Sequence, residues 1–186
     1  MYRSANASRI LSKIRLIQNG VDEVRRKAVF RVDKFNNGGS YVKLPQTVIN
    51  EENPKEQELV ETVLLSDILD AAEAIEDPKQ VIMKIDIELF ECRAFLGSSN
   101  VFRQPQVVPI TAIIMEWIYK GGDGRFSDRC PEDKMRLMAK MLLDTGYVPY
   151  NSFDLRRLNY SNLGEEWSGN VLWLLNGKPP SRFRKS

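Results

Sequence analysis

Histidine is missing from all 186 residues, and cysteine occurs only twice, at Cys92 and Cys130. The first absence excludes Ser-His-Asp and Cys-His nucleophilic catalysis and every metal site that needs imidazole. The second leaves too few thiols for a zinc cluster or a disulfide framework. Two reduced thiols in an intracellular compartment, and hence a cytoplasmic protein, are the expectation. A surplus of one charge is lacking too. Lys and Arg number 27 against 25 Asp and Glu, far from the basic footprint of a nucleic-acid binder. No apolar run approaches the roughly 20 residues of a membrane span. The longest, VPITAIIMEWIY, is interrupted by Glu116, and the opening MYRSANASRILSKIRLIQNG has no continuous apolar core of the signal-peptide kind.

What is present is enough for one domain with a real core, spanning residues 1–186, with a basic, disordered tail over 177–186. Ile10, Leu11, Ile14 and Ile17 share one face at helical spacing, predicting an amphipathic helix that stops at Gly20. Alternation from Val29 to Phe35 predicts a short strand, NNGGS a turn, and YVKLP a brief extended piece. LVETVLL predicts a strand leading into a helix over SDILDAAEAIEDP, which Ser66 or Asp67 caps. Val81 to Ile87 reads as a buried parallel strand. ELFECRAFLGS reads as a helix stopped by Gly97 at C′, and ITAIIMEW as a second buried strand. CPEDKMRLMAKMLLDTG is the clearest helix, with acids in its first turn and Gly146 at its end. YVPYNSF and NVLWLL predict two closing strands. Strands alternating with helices indicate an α/β sheet.

The charges in VIMKIDIELFECRAFLGS need a reason, because buried charge is costly unless paired or used. Asp86 and Glu88 fall where one strand ends and Glu116 where the next ends, the place where open α/β sheets keep their ligand crevice. Scaffolding readings stand beside this one. Asp86 is also suited to cap the following helix, Lys84 to pair with it, and Glu91 to pair with Arg93 or Lys84.

IMKIDIELFECRAFLGS resembles the KIDVEGxExxxLxG signature of the FkbM-type methyltransferases. NNGGS resembles that family's Asn-x-Gly-Gly loop, VLLSDIL its Leu-Asp-Asp-Leu segment, and VPITAIIMEW its strand ending in glutamate, all in the family's order. The resemblance implies a Rossmann-like class I methyltransferase sheet with helices on both faces and S-adenosylmethionine as cofactor. It also implies methyl transfer to a hydroxyl of a small molecule or glycan. Carried over by position, Lys84, Asp86 and Glu88 are the catalytic set, with Asp86 holding or deprotonating the acceptor hydroxyl. Asn37, Gly38, Gly39 and Glu116 are the binding set. Leu89 stands where the family has glycine, and Ser66 replaces one of its paired aspartates. No Asp-x-Gly-x-x-x-Gly cofactor loop and no ribose-binding acid can be found, so the chain reads as lacking the first strands of the sheet. The alternative to an enzyme is a catalytically inactive remnant of this fold, associating with itself or a partner through an exposed sheet edge.

Overall fold

A computed structural model of the protein describes residues 14, 16–31, 40–43, 57–73, 80–103, 109–117, 129–163, 167 and 169–177. The Asn-Gly-Gly loop with Asn37, Gly38 and Gly39, the GGDGRFSD segment, the basic tail, and all of the N-terminal stretch before Ile14 lie outside them. Among the described residues the protein is mixed α/β, with two four-stranded mixed sheets and four helices.

The first sheet has the order β1-β4-β2-β3. Its strands are β1 (Gly20–Val21), β2 (Lys27–Arg31), β3 (Tyr41–Lys43) and β4 (Gln57–Val63). β1 runs parallel to β4, while β4 and β3 flank β2 antiparallel. Ile17 is not helical; Leu16 to Asn19 enter β1 as irregular chain, which corrects the C-terminal end of the predicted amphipathic helix. Leu16 and Ile17 are 67% and 44% exposed, so neither is packed as the buried face of a helix would be.

After β4, helix α1 (Leu65–Glu73) begins two or three residues earlier than a cap at Ser66 or Asp67 would place it. Asp67 is inside the first turn and reaches back, its Oδ2 accepting from the Leu64 amide at 2.9 Å. The Ser66 amide is used differently, donating to Ser98 Oγ at 3.0 Å.

The second sheet contains β5 (Val81–Ile85), β6 (Ile110–Trp117), β7 (Tyr147–Asn151) and β8 (Gly169–Leu175), in the order β5-β6-β8-β7. β5 and β6 are adjacent and parallel, as expected, with Ile85 opposite Met115. β8 is antiparallel to both β6 and β7 and lies between them. β5 departs from the buried-strand expectation. It is an edge strand among the described residues, and its burial alternates, so only one face is covered: Met83 and Ile85 are buried, while Ile82 is 66% exposed.

Helix α2 (Glu91–Gly97) is followed at once by a short α3 (Ser99–Arg103), and α4 (Glu132–Asp144) packs on α2. In α4, Met135, Met138, Ala139 and Leu142 recur at helical spacing and are all buried. Gly146 follows with φ +92°, a conformation that glycine takes at little steric cost. Gly97 is the last helical residue of α2, not the residue beyond it, and a side chain there would collide with the backbone of Glu23. Trp117, Trp167 and Trp173 form a buried cluster with centroids 4.6 to 6.4 Å apart, closing the core under β6 and β8.

The packing of α2 on α4 overturns the expectation of reduced thiols. Cys92 in the first turn of α2 and Cys130 just before α4 are joined as a disulfide, their Cα atoms 5.8 Å apart. A sequence separation of 38 residues hid this neighbourhood. The bond also removes the support that free thiols lent to a cytoplasmic location. No helix among the described residues is long and apolar enough to cross a membrane.

Candidate functional site

β5 and β6 end side by side. Their register pairs Ile85 with Met115, so the next step along each chain brings Asp86 beside Glu116. Asp86 accepts from Lys84 Nζ at 2.8 Å, and both side chains are substantially exposed, at 43% and 65%. The Lys84 side chain therefore projects from β5 into solvent and pairs with Asp86 there. The hydrogen bond to Asp86, with the attraction of the opposite charge, raises the Lys84 pKa. Asp86 does not cap α2, whose N-cap residue is Phe90 and carries no side-chain cap.

The turn after Asp86 is conformationally unusual. Glu88 and Leu89 adopt positive φ, 54° and 73°, in succession. Leu89 occupies the signature's glycine position, and its left-handed backbone gives the physical reason why that position suits glycine. Burial of the Leu89 side chain, 8% exposed, offsets the strain.

Carboxylates crowd this strand end. Burial first, then the negative charges of Glu116 and Asp86, raise the Glu88 pKa, against the nearby Arg129 cation. Glu116 is raised by burial and by Asp86, with Lys84 opposing. Glu91 is the extreme case: it is 4% exposed, and burial raises its carboxyl from 4.5 to about 7. The Ile87 amide, donating to Glu91 Oε1 at 2.9 Å, opposes that rise. Glu91 thus pairs with neither Arg93 nor Lys84. Arg93 turns instead to Asp22 at 2.8 Å and Glu23 at 2.7 Å.

Compared with known protein families, curated proteins and solved structures, the chain matches none.

The described residues therefore bring Lys84, Asp86, Glu88 and Glu116 together and add two groups that the sequence reading did not assign to the site. Arg129 Nη1, one residue before the disulfide-bonded Cys130, donates to the Glu88 carbonyl oxygen at 3.5 Å. Glu91 supports the turn from behind. Its signal was its spacing, four residues before Phe95 on the buried face of α2. No group of three or more acidic, cysteine or histidine side chains among the described residues is arranged to hold a metal ion.

Among the described residues, the turn after β5 does not fit the carboxylate of S-adenosylmethionine. The turn from Asp86 through Phe90 contains no glycine, and the Ile87 amide is already donated to Glu91. The charged residues lining the adjoining cavity, among those described, are carboxylates. What the described residues offer is a group of carboxylates at one strand end.

The elevated Glu91 carboxyl has a consequence for stability. The folded state holds this proton more tightly than the unfolded chain, so its contribution is fully present below pH 4.5 and is lost as pH rises towards 7. The loss is roughly 3 kcal/mol. Glu91→Gln retains an acceptor for the Ile87 amide and removes the titration. Urea unfolding from pH 4.5 to 8 is expected to show a flatter stability profile for this variant and a higher midpoint than the parent at pH 8. An unchanged profile would place the proton elsewhere.

Proposed function

We propose that this chain carries the acceptor side of an S-adenosylmethionine-dependent O-methyltransferase domain of the FkbM type, acting on a hydroxyl of a small molecule or glycan. The observation that carries the reading is the end-to-end alignment of Asp86 and Glu116 on adjacent parallel strands. The sheet order supports it as well. The fold that the resemblance implies closes its sheet with a reversed last strand between the two before it, and β8 lies between β6 and β7 in that way. The left-handed turn at Leu89 is a third support.

In this reading Asp86 accepts the hydrogen bond of the acceptor hydroxyl and takes its proton as the oxygen becomes a nucleophile. Such a base needs hydrogen-bond reach more than a large pKa shift. Lys84 orients the carboxylate, and Glu116 and Glu88 line its approach. The cofactor supplies the methyl group; the residues that would hold its carboxylate are not among those described.

A second reading rests on that poor fit and on the open edge of β5. The chain is then a methyltransferase-fold module without catalysis that associates through this edge. The two separate in one experiment. Labelled methyl transfer to glycan and small-molecule fractions of the source cells is measured for the protein produced there, wild type beside Asp86→Asn. The expected result is a loss of about 100-fold or more in the variant, the usual size for a general base, at unchanged melting temperature. Wild-type transfer no higher than background would sink the catalytic reading and favour the module.

A further inference from the structure

Beside the Asp86–Phe90 turn lies a cavity of about 410 Å³, a size typical of small-molecule sites. One wall is a face of the first sheet, to which Phe30, Val42 and Val60 contribute. Opposite are Ile87 and the fully buried Phe90. Leu16 and Ile17 line the cavity while remaining largely exposed, so apolar surface there is still in water.

Among the described residues the charge on the lining is of one sign, with the Arg129 cation near Glu88 opposing it from outside the lining. Every charged residue that lines the cavity among those described is acidic: Glu58, Asp86 and Glu88. Lys84 is bound to Asp86 but does not line the cavity, and Glu116 adds its charge from the neighbouring strand end. An anion entering this space meets like charge and an apolar wall. A neutral molecule gains only the hydrophobic contribution. A monocation gains both and relieves the mutual repulsion of Glu88, Asp86 and Glu116.

We propose that this cavity binds an amphipathic organic ammonium, its apolar body against Phe30, Val42, Val60 and Phe90 and its charge against Asp86 and Glu88. The assignment concerns equilibrium binding and is independent of the methyl-transfer reading.

Three probes of common shape test it: phenylbutylammonium, phenylbutanol and phenylbutyrate, each titrated calorimetrically into the full chain without any methyl donor. The ammonium is expected to bind about 10-fold or more tightly than the alcohol at low salt, with the advantage shrinking as salt is raised, and the carboxylate is expected not to bind. Glu88→Gln should reduce the preference for the ammonium at unchanged melting temperature. Val60→Trp should fill the space and abolish binding of the ammonium and the alcohol. The Glu88→Gln comparison stands by itself if Val60→Trp does not fold. Equal binding of ammonium and alcohol, preference for the carboxylate, or no binding by any probe overturns the proposal. So does undiminished binding by a folded Val60→Trp variant.

Discussion

Replacing Asp22 by alanine is expected to destabilise the protein by about 3–5 kcal/mol, the usual cost of removing one partner of a buried ion pair. Asp22 has no exposed surface, and its carboxylate accepts from three residues, Arg26 using both Nε and Nη2. Arg93 Nε donates to Oδ1 at 2.8 Å, the Glu23 amide to the same oxygen at 2.8 Å, and Arg26 Nε to Oδ2 at 2.7 Å. Arg93 is itself only 6% exposed and stacks over Phe90 at 5.6 Å. Without Asp22 it retains Glu23, which is why the lower half of the range is the better expectation. The midpoint of urea unfolding reads the effect. Adding Arg93→Met to Asp22→Ala should recover part of the loss, because the uncompensated charge is then gone. A loss under 1 kcal/mol would mean that water reaches this pair.

Gly97→Ala is the second large effect, and its sign runs against helix propensity. Alanine in a helix is ordinarily favoured over glycine by about 1 kcal/mol. At Gly97 an added Cβ would lie 2.4 Å from Glu23 Cα and 2.7 Å from the Glu23 carbonyl oxygen. Both are backbone atoms, so no side chain can swing aside. α2 and the β1–β2 connection would have to move apart, and overpacking of this kind typically costs 1–3 kcal/mol or more. The expected result is a net loss of about 2 kcal/mol or more in unfolding free energy. A stabilised variant would show that Glu23 does not press on the helix.

Both variants address the same junction, and it is the junction that could not be read along the chain. β6, α4 and the closing strands were legible because each buries a face with its own period, from Ile110 to Trp117 and from Met135 to Leu142. The adjacency of Asp86 and Glu116 was legible for a similar reason, since two apolar runs each end in an acid. Asp22 gave no such signal. Its partners Arg26 and Arg93 lie 4 and 71 residues away, and only the second pairing ties the two sheets together. Gly97 read as a helix stop because glycine commonly ends helices, whereas its role is to admit another segment's backbone. The disulfide and the cavity share this origin. Cys92 meets Cys130 through helix packing, and Phe30, Val60 and Phe90 meet only when the first sheet faces the turn after β5.

The position of β6 in its sheet sets a timescale for its amides. Ala112 to Met115 are paired with β5 on one side and β8 on the other, so their N–H groups are shielded from solvent on both flanks. Hydrogen exchange at these residues must wait for the sheet itself to open, and their protection approaches the free energy of global unfolding. β5 has a partner on one side only among the described residues, so its outward amides exchange through smaller, faster openings. Asp86 and Glu116 therefore belong to strand ends of unequal permanence, the first following the edge that loosens early and the second lying within the strand that lets go last.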